Sequence, residues 1–163
     1  LVNAFSQIES PDYRLMICGI GDSEKAIREA AEKDSRISFL GQLPRSEVLE
    51  WQKQATVLVN PRQNNEEFTK YSFPSKTMEY LSSGIPVVAY KLDGIPDEYD
   101  AYIQYVEDDS IESLKKKLIE VCELSDEERQ SLGSAGRAFV LTEKNSTIQV
   151  KKIAMLIKSI AQK

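Results

Sequence analysis

The stretch YSFPSKTMEYLSSGIPVVAY, Tyr71–Tyr90, decides how the rest of the chain is read. A helix of about ten residues starts near Pro74 and stops at Gly84-Ile85-Pro86, and an unbroken apolar strand follows at once. Proline suits a helix start because it lacks the amide that would go unpaired there, and glycine followed by proline ends a helix cleanly. Ser72 or Ser75 is expected to cap the first turn. At about 100° per residue, Thr77, Met78 and Leu81 share the core side, and Lys76, Glu79, Tyr80 and Ser83 lie on the other. Lysine at a helix start makes a concentrated positive site suited to a diphosphate. One turn on, Glu79 can accept two hydroxyl hydrogen bonds from a sugar ring. The plainer alternative is a Lys76–Glu79 i,i+3 pair on a solvated face, stabilising by roughly 0.2–0.5 kcal/mol.

Outward from this stretch, short apolar runs alternate with amphipathic helical ones. RLMICG (14–19), RISFLG (36–41), TVLVNP (56–61), IPVVAY (85–90) and YIQYVE (102–107) read as strands. Between them, 22–34, 44–54, 74–83 and a short turn near 96–101 read as helical, and the last third is helical throughout. Near-continuous apolar strands are those covered on both faces. The fold class is therefore α/β: a doubly wound, Rossmann-like parallel sheet of about five strands, with helices on both faces and a helical C-terminal third. The opening LVNAFSQIES reads as the back half of an amphipathic helix. Such a helix follows a strand in this fold, so residues 1–163 are expected to be one domain cut from a longer protein.

Composition is that of a globular domain, 41% hydrophobic and 29% charged. The net charge of −5 argues against a nucleic-acid partner or an anionic-membrane footprint. The chain has no histidine, which removes Ser-His-Asp and Cys-His chemistry and most zinc sites. No metal-ligand spacing is present, and no metal or cofactor is expected. Cys18 and Cys122 read as two buried thiols of a reducing compartment. No signal peptide and no apolar run near the length of a bilayer span are present, so no transmembrane segment is expected. Asn145-Ser146-Thr147 fits a glycosylation acceptor formally, and a helix N-cap physically.

Doubly wound sheets bind ligands beyond the carboxyl ends of their strands. After the first strand stand Gly19 and Gly21, which either admit a ligand to the backbone or simply make a tight turn. After the second, Gly41 to Leu43 forms a turn able to read a base edge, or a plain connection. After the third, Arg62 to Lys70 is long and polar, which suggests function or a surface excursion.

Taken in order, LMICGIGD, RISFLGQL, ATVLVNP and FPSKTMEYLSSGIPVVAYKLDGIPDEY closely resemble the nucleotide-sugar-binding, C-terminal domain of GT-B glycosyltransferases, family 4 (group 1). The resemblance covers essentially the whole chain, and the Pro-Ser-Lys version looks like bacterial capsular and exopolysaccharide enzymes. It implies a retaining transferase that takes a UDP- or GDP-sugar and passes the sugar to a glycan or lipid-linked acceptor. It also implies a cytoplasmic protein, with any peripheral membrane contact made through a missing N-terminal acceptor domain. In the family two glutamates flank this helix start. The second contacts the donor ribose and matches Glu79. The first contacts the donor sugar and falls at Tyr71, with Glu67 as a possible stand-in if the loop folds back. Backbone around Ser72–Ser75 approaches the phosphates, and the turn at Gly41–Leu43 contacts the base. The family's phosphate-neutralising arginine and lysine precede LVNAF and are not in this sequence. No catalytic residue is assigned. A nucleotide-sugar epimerase half, disfavoured by the absent histidine, and a non-catalytic GT-B partner domain, favoured by Tyr71, are the competing readings.

Overall fold

The computed structural model describes residues 1–64 and 67–161. Its strands are β1 (Leu15–Cys18), β2 (Ile37–Gly41), β3 (Leu58–Asn60), β4 (Val87–Ala89) and β5 (Gln104–Tyr105). Its helices are α1 (Val2–Phe5), α2 (Glu24–Lys33), α3 (Arg45–Gln54), α4 (Ser75–Ser83), α5 (Ile111–Cys122), α6 (Asp126–Glu143) and α7 (Ser146–Ala161). Every strand pairing is parallel, and helices connect the strands, as the alternating pattern predicts.

The centre of the fold is β4. Its three residues are buried, and they alternate between two cores. Val88 packs with Ala4, Phe5, Leu114 and Leu118, from α1 and α5. Val87 and Ala89 pack with Leu81, Phe139 and Val140, from α4 and α6. A strand covered on both faces has no polar position to spare, hence the run VVA. Chain termini of the helices follow local chemistry. Ser125 and Glu128 form a reciprocal capping box that starts α6. The Asn145 side chain accepts from the Ile148 amide at 3.0 Å, so Asn145 caps α7. No residue of α7 is buried. Among the described residues no helix is long and apolar enough to cross a membrane.

The five strands divide into two sheets, β1–β2 and β3–β4–β5. β1 and β3 do not pair with each other, and a groove of about 820 Å³ lies between them. Local hydrophobic pattern sets where strands form and leaves open which neighbours they find. The division also corrects the expectation for the thiols. Cys18 is exposed, because the free edge of β1 leaves it uncovered at the groove, and Cys122 is only half-buried.

Arg36 fastens the start of the chain to β2. Its guanidinium holds Asp34 through hydrogen bonds of 3.0 and 2.7 Å, donates to the Ile8 carbonyl and, at 2.9 Å, to Ser10, and lies over the Phe5 ring. The hydrogen bonds and charge of Arg36 hold the Asp34 carboxyl at a pKa of about 2.

Candidate functional site

The site is organised by how α4 is seated. Thr77 and Leu81 are almost wholly buried, at 0% and 2% exposure. The Asn60 side chain at the end of β3 donates to the Thr77 hydroxyl at 3.3 Å. Anchored on that face, α4 turns Glu79 toward α3. Gly84 closes the helix in the left-handed conformation, with φ of 83°. Pro74 itself is the N-cap residue, and no side chain caps the first turn. The expected cap from Ser72 or Ser75 is therefore absent: Ser75 is already the first helical residue, and the buried Ser72 hydroxyl has no hydrogen-bond partner. The orphan amides of the first turn remain available.

Glu79 does not sit on a solvated face. Its side chain is only 19% exposed and is gripped from two helices. The Gln52 amide donates to Glu79 Oε1 at 2.8 Å, and Lys76 Nζ donates to the same oxygen at 2.9 Å. On the other side Arg45 Nη2 lies 3.7 Å from Oε2, an ion pair too long for a hydrogen bond. Burial pushes the Glu79 carboxyl upward, but hydrogen bonds from Gln52 and Lys76 and the charges of Lys76 and Arg45 outweigh it. The net effect holds it below the ordinary carboxylate range, so Glu79 is ionised at neutral pH. One carboxylate oxygen is thus engaged, and the other keeps its hydrogen-bonding capacity open.

Gln52 and Arg45 escape a reading based on motifs. Arg45 lies in the first turn of α3, directly after the Gly41–Leu43 turn, and Gln52 lies two turns later on the same side. That spacing was the only available signal. Gln52 is 5% exposed, unusual for a glutamine, and its Oε1 has no partner.

Of the remaining candidates, Gly19 and Gly41 meet each other: the Gly19 amide donates to the Gly41 carbonyl at 2.8 Å. Gly41 has φ of 65°, so its own backbone conformation accounts for the glycine. Nothing lies within 4 Å of where a Cβ would stand at Gly19, Gly21 or Gly41, so the strand ends are open to a visitor. Leu43 is half-buried, two residues before the Arg45 that pairs with Glu79, and makes no hydrogen bond with Glu79. Ser75 and Lys76 are exposed at the start of α4. Tyr71 and Glu67 stand apart. Tyr71 is 82% exposed, Glu67 is exposed at the start of a 3-10 turn (Glu67–Lys70), and neither makes a hydrogen bond or ion pair with Glu79.

The long loop is fastened down. Thr69 donates to Asn64 at 2.7 Å, Asn64 donates to Asp93 at 2.7 Å, and Arg62 lies over the Phe68 ring. Behind it, a Cβ on Gly94 would stand 2.6 Å from the Ser72 carbonyl and 2.8 Å from that of Thr69. The backbone leading into α4 therefore rests directly on Gly94. Asn65 and Glu66 lie outside the described residues.

Among solved structures, the sucrose-phosphate synthase of Thermosynechococcus elongatus superposes with a TM-score of 0.73 at 20% identity. The match covers 99% of this chain and 42% of that one, so the chain spans less than half the length of its structural relative. At that identity the likeness establishes the Rossmann-like α/β fold alone. No curated protein sequence matches the chain. Residues 1–139 match the profile of the family described as Glycosyl transferases group 1. That span takes in every strand and the whole Glu79 site, and the chain therefore belongs to the group 1 glycosyltransferase family.

Proposed function

We propose that this chain is the donor-binding domain of a retaining GT-B glycosyltransferase, one that moves a sugar from UDP- or GDP-sugar to a hydroxyl of a glycan or lipid-linked acceptor. The acceptor is bound by another domain of the same protein, on the cytoplasmic side, in the assembly of a bacterial surface polysaccharide. The observation that carries this reading is Glu79: an ionised, four-fifths buried carboxylate with Oε1 saturated by Gln52 and Lys76 and Oε2 open beside a helix start. A carboxylate in that condition suits the vicinal hydroxyls of a ribose, each donating a charge-assisted hydrogen bond. Lys76 and the free amides at Ser75 and Lys76 suit the diphosphate. As the glycosidic bond breaks, negative charge grows on the departing diphosphate, and donors already aimed at it lower the barrier. In this reading Arg45 and the Gly41–Leu43 turn contact the base edge, and Gly19 and Gly21, with open space around them, admit the donor at the end of β1.

Calorimetric titration with UDP and GDP tests this reading. One of the two binds, and Glu79→Ala weakens binding about 10–150-fold, the loss of charge-assisted hydrogen bonds worth roughly 1.5–3 kcal/mol. Indifference to both nucleotides refutes the donor site and favours a non-catalytic partner domain, the role that Tyr71 in the first glutamate's place would suit.

A further inference from the structure

Stability does not account for Gln52. Its side chain is enclosed, and the apolar Leu40, Val48 and Val57 line the same space. A glutamine amide carries two N–H donors and an oxygen with two lone pairs, all of which call for partners when buried. Nε2 donates to Glu79 Oε1 at 2.8 Å, whereas the Gln52 oxygen finds no donor among the described residues. An unpaired buried oxygen is unfavourable, and an apolar side chain of the same length would avoid it. What Gln52 does supply is its hold on Glu79.

The groups around Glu79 differ in how freely they can leave it. Lys76 has a side chain 57% exposed, carries a charge and swings on a flexible four-carbon stem. Arg45 is more exposed still and stands 3.7 Å away. Gln52 is neutral, enclosed and fixed on a different helix. In the donor-site reading Lys76 has two claimants, Glu79 and the diphosphate. The diphosphate carries more than one negative charge and Glu79 carries one, so the ammonium goes to the phosphate. We propose that Gln52 is the positioning residue of this site: when nucleotide binds, Lys76 passes from Glu79 to the diphosphate, and the Gln52 amide keeps the carboxylate set for the ribose. The departure of Lys76 frees a lone pair on Oε1, so each carboxylate oxygen can take one of the two vicinal hydroxyls. A neutral donor suits this task, because a phosphate does not draw it away. The role of Gln52 rests on the donor-site reading and deepens it. The charged groups that act on Glu79 are Lys76 from α4 and Arg45 from α3. With Lys76 turned away, the Gln52 hydrogen bond becomes the main support of the ionised form.

Calorimetric titration with UDP and GDP, from about pH 5 to 8, compares the parent, Gln52→Met, Glu79→Ala and the double variant. Methionine is as long as glutamine and cannot donate. At the alkaline end Gln52→Met binds the nucleotide about tenfold more weakly than the parent, and the gap widens as pH falls. The sign follows from Glu79: without the Gln52 donor its pKa is higher, so acid removes the accepting carboxylate sooner. Protonation of the nucleotide itself affects both proteins alike and cancels in the ratio. In the Glu79→Ala background the Gln52 change has no further effect, within about twofold. A Gln52→Met loss that is flat with pH, or that persists without Glu79, marks a packing residue and overturns the inference. A crystal structure of the parent with bound UDP or GDP reads the handover without any variant. Lys76 Nζ then lies about 2.7–2.9 Å from a phosphate oxygen, with Gln52 Nε2 still on Glu79 Oε1. Lys76 remaining on Glu79, or Gln52 turned aside, overturns it as well. A parent that needs Glu79 for nucleotide and ignores Gln52→Met defeats the role of Gln52 alone. A parent indifferent to both nucleotides defeats the donor site, and the role of Gln52 with it.

Discussion

Gly133 lies in α6 where that helix crosses the end of α4, and a methyl group there has nowhere to go. A Cβ at Gly133 would stand 1.9 Å from the Gly84 carbonyl oxygen and 2.6 Å from its carbon. Contacts under 3.0 Å essentially never occur, so α6 would have to retreat by more than an ångström from backbone that cannot rotate aside. Interiors resist such displacement, and overpacking costs about 1–3 kcal/mol, with a backbone clash at the upper end. Alanine regains about 1 kcal/mol of helix propensity. We predict a net loss of about 2 kcal/mol for Gly133→Ala, which lowers Tm by roughly 4–8 °C in a domain of this size. Gly136 provides the contrast. Its Cβ would meet Leu81 Cδ2 at 2.8 Å, the far end of a side chain able to turn, so Gly136→Ala costs about 1 kcal/mol or less. Urea denaturation followed by circular dichroism measures both. A Gly133→Ala protein within about 0.5 kcal/mol of the parent, or less damaged than Gly136→Ala, refutes the reasoning.

Three further outcomes follow from the site and its supports. Lys76→Met removes a cation from the start of α4 and one of the two donors to Glu79, so nucleoside diphosphate affinity falls about tenfold and affinity for the nucleoside alone falls less; equal loss for both ligands counts against the diphosphate assignment. Gln52→Leu leaves Glu79 Oε1 with Lys76 alone, so the Glu79 pKa rises and nucleotide affinity falls, both readable by NMR titration; an unchanged pKa removes Gln52 from the account. Asp34, with a folded pKa of about 2 against an ordinary 3.8, contributes stability that is fully present above pH 3.8 and lost as pH falls toward 2. Arg36→Met therefore lowers stability at neutral pH and flattens that acid decline, and an acid profile parallel to the parent's contradicts the link.

The stretch Tyr71–Tyr90 was legible because its elements answer to local causes. Gly84-Ile85-Pro86 stops α4 wherever the chain is placed, and Val87–Ala89 is apolar throughout because two helix layers need it. The burial of Thr77 and Leu81 followed from their spacing. What escaped the sequence depends on partners remote along the chain. The Gln52–Glu79 hydrogen bond joins residues 27 apart, and α3 gives no local sign of which side faces α4. The burial expected of Cys18 depended on a neighbour strand that β1 does not have. Ser72 and Ser75 offered capping oxygens, but the turn places Pro74 at the N-cap and leaves neither side chain in reach.

A crystal structure of the protein with bound UDP or GDP interrogates Glu79 most directly. The ribose hydroxyls are expected at about 2.5–2.7 Å from the Glu79 carboxylate, with the diphosphate at Ser75 and Lys76. A nucleotide seated elsewhere, with Glu79 still held by Gln52 and Lys76 and touching no hydroxyl, would contradict it.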